Sequence, residues 1–325
     1  MLCLLNAATE PAWNLAAEEY LLTSSREDCF MLWRNHSAII VGRNQNTHAQ
    51  VNPEFLAIHR TPVVRRLSGG GAVYHDLGNV NFTMIDVGGR NPQMDFRNYT
   101  RPILDFLNHI GVPAIFDGRN DLSLGGRKIS GNAQYVHQGK ILHHGTLLFD
   151  VNLEMLAEAL RVDPSKFQDK AVDSIRQRVA NVRPHLSGPI SVDDFMEQLL
   201  HFVQRSNNGR RAAFSQADMQ AIESLAEQKY RRWEWNFGHS PHYNFRKTTR
   251  TAGGTLEVHL DVQQGVIRAI RLHGDYFGVR GIRDLEELLV GCRHCKEAIS
   301  GAIGHLPIGE YIHGVSVEEL TNALF

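Results

Sequence analysis

The sequence predicts an α+β protein built from a large N-terminal domain and a small C-terminal one. Strand-like and helix-like segments are interspersed without the regular β-α-β order of a doubly wound sheet. The chain has 325 residues, and because domains usually hold roughly 100–200 residues, two domains are expected. Glycine and proline interrupt the segment 236–245, so we predict one domain at 1–238 and a second at 246–325.

The N-terminal part predicts one helix followed by a series of strands. Apolar residues at helical spacing predict a helix over 13–24. The β-prone segments 30–34 and 37–42 are separated by Asn-His and predict a hairpin. The segments 62–68 and 79–87 also predict strands, with a glycine-rich turn between them.

A strand pair is predicted over 128–136 and 140–151. A turn near Gly139 would set His144 opposite Ala133. The other predicted helices cover 96–110, 153–160, 192–204, 216–228, 284–290 and 317–324, and the other predicted strands cover 255–262 and 266–274.

The charges of the chain are balanced. Lys and Arg total 34 and Asp and Glu total 35, which gives a formal net charge of -1. This balance argues against nucleic acid as a partner, since nucleic-acid surfaces carry a basic excess. It conceals a local positive cluster, formed by Arg65, Arg66, Arg127 and Lys128, that suits one nucleotide rather than a polyanion.

No membrane segment or secretory leader is expected. The sequence has no stretch of about 18 uncharged apolar residues, and no basic leader precedes its apolar N-terminal residues. Its four cysteines, Cys3, Cys29, Cys292 and Cys295, are too few for a disulfide framework. We therefore expect a cytoplasmic protein.

The segment 65–76 carries the strongest chemical signal. Three consecutive glycines at 69–71 let the backbone approach an anion, and Arg65, Arg66 and Ser68 add polar donors. This combination suits a nucleotide phosphate or a carboxylate. It is neither a Walker loop nor a dinucleotide fingerprint. The alternative is a flexible hairpin loop beside a solvated arginine pair.

A second polar segment surrounds Lys128. On a strand, Lys128, Ser130 and Asn132 alternate onto one face, which is polar although a core-facing surface would be apolar. A lysine ammonium can hold a carboxylate and a phosphate together, and Asp121 could help to hold Mg²⁺. The alternative is an exposed lysine on an edge strand.

These segments resemble the lipoate–protein ligases, within the wider biotin/lipoate ligase group. RRLSGGGAVYHDLGN (65–79) is similar to that family's arginine-serine-triglycine loop. The remaining similar segments are GRNDL (118–122), GRKISGNAQ (126–134), HHGTLLF (143–149), WRNHSAIIVGRNQN (33–46) and WEWNFGHSP (233–241). The resemblance therefore covers most of the chain.

The resemblance implies a catalytic domain of mixed sheets and helices and a small α+β C-terminal domain. It implies that lipoate and Mg-ATP give lipoyl-adenylate and pyrophosphate. The acyl group then passes to a lysine of a lipoyl domain, on a 2-oxoacid dehydrogenase E2 subunit or the glycine-cleavage H protein. We expect a monomer.

The resemblance also implies roles for individual residues. Lys128 would bridge the acyl carbonyl and the α-phosphate, and Asp121 would lie near the metal. The residues implied to contact the nucleotide are Arg66, Gly71, Ala72, Val73, Tyr74, Asn79, Asp121 and Lys128. The residues implied to line the acyl pocket are Trp33, Ser68, Gly70, His75, His144 and Thr146. For Trp33, a place in the core is an equal alternative.

Other activities of the same fold remain alternatives. Octanoyltransferases and amidotransferases pass acyl groups through a cysteine thioester, but this chain has no cysteine between Cys29 and Cys292. A transferase that uses preformed lipoyl-adenylate, a non-catalytic acyl-adenylate binding protein and a biotin ligase are further alternatives. Cys292 and Cys295 lack two further ligands at zinc-site spacing, so we interpret them as ordinary cysteines.

Overall fold

In the part of the chain that the structure describes, the strands form one eight-stranded sheet and two three-stranded sheets. The computed structural model describes residues 1–45, 47–88, 95–160, 178–237, 245–263, 266–294 and 296–324. The strands are β1 (Leu2–Leu5), β2 (Cys29–Trp33), β3 (Ala38–Val41), β4 (Val63–Arg65), β5 (Val73–His75), β6 (Asn79–Asp86), β7 (Ile115–Asp117), β8 (Asp121–Leu124), β9 (Arg127–His137), β10 (Lys140–Leu148), β11 (Arg210–Ala212), β12 (Phe245–Thr251), β13 (Gly254–Gln263) and β14 (Val266–Gly274).

Helices lie on both sides of the large sheet and around the C-terminal one. They are α1 (Pro11–Ser24), α2 (Thr47–Gln50), α3 (Pro53–His59), α4 (Phe96–His109), α5 (Leu153–Ala159), α6 (Val192–Ser206), α7 (Gln216–Leu225), α8 (Trp233–Asn236), α9 (Ile282–Leu289), α10 (Lys296–Ile303), α11 (Ile308–Tyr311) and α12 (Val317–Ala323). Among the described residues, no helix combines the length and the apolar character needed to cross a lipid bilayer.

The large sheet has the strand order β11-β1-β2-β6-β10-β9-β8-β7. Helices α4 and α6 pack on one face around a core that includes Phe82 and Phe106. Helices α1 and α7 pack on the opposite face, where Leu15 and Trp33 belong to a second core. The β9–β10 pairing sets His144 opposite Ala133, so the predicted register is confirmed.

The predicted hairpin of 30–34 and 37–42 is wrong. Strand β2 pairs with β1 and β6 in the large sheet, whereas β3 pairs with β4 and β5 in the order β4-β3-β5. Every residue of β2 and β3 is buried, so neither strand has the solvent-facing side of a simple hairpin. The connection between them is instead anchored by Asn14, whose amide donates to Arg34 O and Asn35 Oδ1 at 2.9 and 2.8 Å.

The C-terminal strands and helices surround a core of their own. Strands β12, β13 and β14 form an antiparallel sheet, and Leu256, Ile270 and Leu285 are among its buried residues. This unit contacts the N-terminal one at Asn44, whose carbonyl accepts from the Gly274 amide at 2.8 Å. The predicted boundary at 236–245 lies mostly outside the described residues, so the division into 1–238 and 246–325 stays a prediction.

Candidate active site

A cavity of about 140 Å³ lies between the glycine-rich loop and one face of the large sheet. The β6–β10 pairing sets Asn81 opposite Thr146 and Thr83 opposite His144, so these side chains share that face. The cavity is lined by Leu15, Trp33, Ile40, Arg66, Gly70, Gly71, Ala72, Val73, His75, Asn81, Asn120, Lys128, Gly131, Asn132, Ala133, His144, Gly145 and Thr146. Apolar and charged groups therefore meet in one pocket.

The glycine-rich loop curls around the guanidinium of Arg66. Its Nη2 donates to Gly69 O at 2.6 Å and to Gly71 O at 2.8 Å, and its Nε donates to Ser68 Oγ at 3.1 Å. Gly70 has a φ of 90°, which favours glycine. Burial lowers the pKa of Arg66 to about 10, so the side chain remains a cation at neutral pH. Arg66 thus fixes the loop as well as facing the cavity.

Arg65 does not take part in the positive cluster that the sequence suggested. Its side chain is fully buried on the other side of β4. Its Nη1 donates to Gly42 O and Gln45 O at 2.9 and 2.7 Å, and its Nε donates to Trp235 O at 3.0 Å. Successive residues of a strand point to opposite faces, so neighbouring arginines cannot both face one pocket. Arg65 instead connects separate backbone segments of the N-terminal unit through these hydrogen bonds.

Lys128 is held in a bent conformation at the polar end of the cavity. Its Nζ lies 2.8 Å from Asp121 Oδ1, and both side chains are partly exposed. The side chain of Lys128 passes over Gly131. A Cβ added at Gly131 would lie 2.9 Å from both Cε and Nζ of Lys128. The neighbouring strand therefore supplies the counterion, and a glycine supplies the space.

His75 presents a neutral ring to the cavity. Burial, with added repulsion from Arg66 and His144, lowers the pKa of His75 to about 3. The Asn35 amide nitrogen lies 3.1 Å from His75 Nδ1, which makes Nδ1 the acceptor and assigns the proton to Nε2. Neither His75 Nε2 nor Asn81 Nδ2 has a hydrogen-bond partner among the described residues. Two buried donors are thus available for an acceptor on a ligand.

A hydrogen-bonded network lies behind the apolar part of the pocket. His144 Nδ1 lies 2.9 and 3.0 Å from the two carboxylate oxygens of Glu18, and His144 Nε2 lies 2.6 Å from Ser68 Oγ. Thr83 Oγ1 donates to Glu18 Oε1 at 2.6 Å and accepts from Trp33 Nε1 at 2.8 Å. Two of the lining residues, Trp33 and His144, are therefore held by one buried carboxylate.

The C-terminal unit covers the glycine-rich loop. An added Cβ at Gly69 would lie 2.2 Å from Tyr276 O, so this backbone contact requires glycine. The Arg119 guanidinium lies 4.6 Å from the centroid of the Phe277 ring and donates to Gly253 O. The loop and the segment 118–122 are thus both in contact with the C-terminal unit.

Ten of the predicted site residues line the cavity together. They are Trp33, Arg66, Gly70, Gly71, Ala72, Val73, His75, Lys128, His144 and Thr146. Three others support lining residues from behind. Ser68 contacts His144, Asp121 pairs with Lys128, and the Asn79 amide donates to Asn81 Oδ1 at 2.9 Å.

The side chain of Tyr74 lies away from the cavity. Its ring packs edge-on against Phe55 at a centroid distance of 6.2 Å, and its hydroxyl lies 3.2 Å from Ser37 Oγ. Tyr74 alternates with Val73 along β5, so only one of the two can face the pocket.

Asn132, which the sequence places on the same polar strand face as Lys128, also lines the cavity. The lining residues with no role expected from the sequence are Leu15, Ile40, Asn81, Asn120, Gly131, Ala133 and Gly145. Glu18 was also missed, although a signal existed. Glu18 follows Leu15 by three positions and so lies on the same face of α1, which places a carboxylate within an apolar stripe.

The described cysteines and acidic clusters do not suggest thiol or metal-cage chemistry. Cys3 and Cys29 are buried outside the cavity lining, and burial raises the pKa of both thiols. Cys292 is partly exposed in the C-terminal unit, and Cys295 lies outside the described residues. Within the described ranges, no group of three or more His, Cys, Asp or Glu side chains is arranged to hold a metal ion.

Two domain families match the chain. The family described as "Lipoyl protein ligase A/B catalytic domain" matches residues 10–204, and "Bacterial lipoate protein ligase C-terminus" matches residues 240–324. Lipoate–protein ligase 1 of Staphylococcus aureus is 38% identical over 317 residues, which is 97% of either chain. The lipoate–protein ligase LplJ of Bacillus subtilis is 35% identical over 321 residues, again 97% of either chain.

Solved structures agree with these relatives. The lipoate complex of P. falciparum LipL1 has a TM-score of 0.82 at 25% identity, covering 99% of this chain and 98% of that one. A lipoate–protein ligase A bound with ATP has a TM-score of 0.62 at 25% identity, covering 73% and 99%. The bipartite ligase of Thermoplasma acidophilum, described with its E2 lipoyl domain, has a TM-score of 0.65 at 27% identity, covering 75% and 98%. The chain belongs to the lipoate–protein ligase family, and it is a ligase of α+β fold with that family's catalytic and C-terminal regions.

Proposed function

We propose that the protein is an ATP-dependent lipoate–protein ligase that works through lipoyl-AMP. The observation that carries the proposal is the composition of its pocket. Lys128 and the apolar side chains of Leu15, Trp33 and Ile40 all line this one cavity. A carboxylic acid with a long apolar tail needs both surfaces within one cavity.

In the first step, a carboxylate oxygen of lipoate attacks the α-phosphorus of ATP, and pyrophosphate leaves. Negative charge accumulates between the carboxylate and the phosphate during this step. The Lys128 side chain lines the same cavity and would stabilise this charge, and such charge stabilisation is usually a large term in catalysis. The neutral His75 Nε2–H and the Asn81 amide supply further donors without adding charge. P. falciparum LipL1 with lipoate and the ATP-bound ligase A support both substrates.

Asp121 fits Mg²⁺ as a single ligand accompanying ATP. Mg²⁺ is commonly bound by one or two carboxylates together with phosphate oxygens and waters. Asp121 offers one carboxylate beside Lys128, and among the described residues its Oδ1 is paired with Lys128 and accepts no hydrogen bond. The metal would neutralise phosphate charge. This assignment does not require a protein-only cage.

In the second step, the neutral ε-amine of an acceptor lysine attacks the acyl carbonyl. The bond to AMP breaks, an amide forms and one proton is released. The acceptor is a lysine on a lipoyl domain, carried by an E2 subunit or the glycine-cleavage H protein. The T. acidophilum ligase described with its E2 lipoyl domain supports this class of acceptor. Lys128 would stabilise the charge on the carbonyl oxygen during this transfer.

A thioester route is the second candidate, and the positions of the thiols disfavour it. That route needs an activated cysteine within reach of the acyl group. Cys3 and Cys29 lie in buried strands outside the cavity lining, with pKa values raised by burial. A transferase that accepts only preformed lipoyl-AMP differs from a ligase because its activity does not depend on ATP.

The test is an intact-mass assay with purified protein, lipoate, ATP, Mg²⁺ and a lipoyl domain. We expect a lipoyl mass increment on the acceptor that requires ATP. We expect Lys128→Ala to abolish both this increment and lipoate-dependent ATP–pyrophosphate exchange. Lys140→Ala is the matched control, because Lys140 caps backbone carbonyls of Thr23 and Ser25 outside the cavity. Modification without ATP, or undiminished exchange in Lys128→Ala, would refute the proposal.

A further inference from the structure

We propose that Glu18 is a positioning residue that holds His144, Ser68 and the arginine of the glycine-rich loop in their working arrangement. This inference rests on the proposed function, because His144 lines the pocket assigned to the acyl chain. Glu18 lies on α1 and is 2% exposed. Its carboxylate accepts hydrogen bonds from two different strands of the large sheet, at Thr83 on β6 and His144 on β10.

The directions of the hydrogen bonds are determined by groups that can only donate. Arg66 Nε must donate to Ser68 Oγ, so the Ser68 hydroxyl proton is free to point to His144 Nε2. His144 Nε2 is then an acceptor, and its proton lies on Nδ1, which faces Glu18. Arg66 therefore donates to Ser68, Ser68 donates to His144 and His144 donates to Glu18, so each donor has an acceptor.

The other side of the network also ends at Glu18. Trp33 Nε1 can only donate, so Thr83 Oγ1 accepts from it and passes its own proton to Glu18 Oε1. Both Trp33 and His144 line the cavity. One carboxylate is thus the common acceptor for two walls of the pocket.

The charges explain why a carboxylate is needed rather than a neutral acceptor. Arg66 is 6% exposed, and among the described residues its hydrogen bonds go to carbonyls and a hydroxyl. Burial lowers the pKa of Arg66, and the negative charge of Glu18 opposes that change. The buried cation and the buried anion therefore compensate each other through Ser68 and His144 without touching. Loss of the anion frees the His144 tautomer and leaves Arg66 without its counter-charge.

The test compares Glu18→Gln with Glu19→Gln. Gln keeps the size of Glu18 but lacks the charge. If Thr83 still donates to the Gln carbonyl oxygen, the amide nitrogen takes the place of Oε2, 3.0 Å from His144 Nδ1, and presents a donor where the carboxylate presented an acceptor. Glu19 is the next residue on α1, and its carboxylate pairs with Lys229 and Tyr230 instead. We expect Glu18→Gln to raise KM for lipoate about tenfold or more with little change in kcat, and Glu19→Gln to leave KM unchanged. Unchanged KM in Glu18→Gln would overturn the inference.

A spectroscopic measurement makes the inference independent of ligase activity. ¹⁵N-histidine NMR should show His144 with its proton on Nδ1, its signal being identified by its absence in His144→Gln. We expect Glu18→Gln to change that tautomer and Glu19→Gln to keep it. A proton on Nε2 in the unchanged protein refutes the network even if the enzyme is active. The expected tautomers in a protein without ATP-dependent ligation would instead refute the proposed function alone.

Ser68→Ala provides a second variant in case Glu18→Gln does not fold. This substitution leaves Glu18 and His144 in contact and cuts the connection to Arg66. We expect Ser68→Ala to retain the Nδ1 tautomer of His144 and to raise KM for lipoate. A change of tautomer in Ser68→Ala would show that Ser68, rather than Glu18, sets the ring, and it would overturn the inference.

Discussion

Gly131→Ala should displace Lys128, the proposed catalytic lysine, without unfolding the protein. An ideal Cβ at this position would lie 2.9 Å from both Cε and Nζ of Lys128. Gly131 lies in β9, and it does not need the left-handed backbone conformation that only glycine tolerates well. The obstacle is the end of a flexible side chain, so the fold can absorb the methyl group when Lys128 moves. The cost should therefore fall on catalysis rather than on stability.

The size of the effect follows from the displacement. Carbon atoms pack at about 3.5–4.0 Å, so the end of Lys128 must move by about 0.6–1 Å. This shift draws Nζ away from a position fixed at 2.8 Å from Asp121 Oδ1. A misplacement of about 1 Å can cost about 100-fold in rate. We expect lipoate-dependent ATP–pyrophosphate exchange to fall about 10- to 100-fold, with the loss in kcat rather than in KM for lipoate.

The assay compares Gly131→Ala with Gly301→Ala, whose added Cβ has open space in helix α10. Both variants should melt within a few degrees of the unchanged protein, and Gly301→Ala should retain full exchange activity. Full activity in Gly131→Ala would refute the argument that the bent conformation of Lys128 is the working one. Equal losses in the two variants would refute the specific role of Gly131.

Two further predictions concern buried basic side chains. Burial lowers the pKa of His273 to about 3. Below pH 6.5, His273 therefore becomes protonated in the unfolded chain but stays neutral in the native protein. The free energy of unfolding should therefore fall between pH 6.5 and pH 5.0, and His273→Gln should make this fall about 2 kcal/mol smaller, as measured by urea denaturation at both pH values. An equal pH dependence in both proteins would contradict the burial of His273. Arg65→Lys keeps the charge but not the fork that reaches Gly42 O, Gln45 O and Trp235 O. We expect a loss of about 3 kcal/mol in the same assay, and a change below about 0.5 kcal/mol would contradict this role.

The elements that the sequence predicts well are those with one apolar face. Helix α4 (Phe96–His109) and helix α6 (Val192–Ser206) agree with the predicted ranges within two residues, because each has a clear apolar stripe. The pairing of β2 (Cys29–Trp33) and β3 (Ala38–Val41) was not predictable in this way. Both strands are buried on both faces, so no alternation indicates which sheet each one joins.

Most of the predicted site residues line the cavity or support its lining, but the buried carboxylate of Glu18 was missed. The glycine-rich loop and Lys128 have distinctive local sequences, and both line the cavity. Arg65 and Arg66 could not be told apart by composition, although strand alternation places them on opposite sides of β4. Glu18 acts through His144, which is 126 residues away in the chain. The spacing of Leu15 and Glu18 indicates that Glu18 faces inwards, but its contact with His144 depends on how α1 packs against the large sheet.

The two units contact each other, and the cavity in the N-terminal unit is small. The cavity of about 140 Å³ is smaller than the roughly 300–1,000 Å³ usual for ligand pockets, whereas an acyl-adenylate is larger than a typical single substrate. The wall that limits it on one side is the glycine-rich loop, which is pressed against the backbone of Tyr276 and the ring of Phe277. Phe277 also packs with Phe96 and Ala133 in a small buried cluster between the two units, and the Gly274 amide donates to Asn44 O. A larger pocket therefore requires the loop to move away from Tyr276 and Phe277, which would expose the ring of Phe277, now 1% exposed.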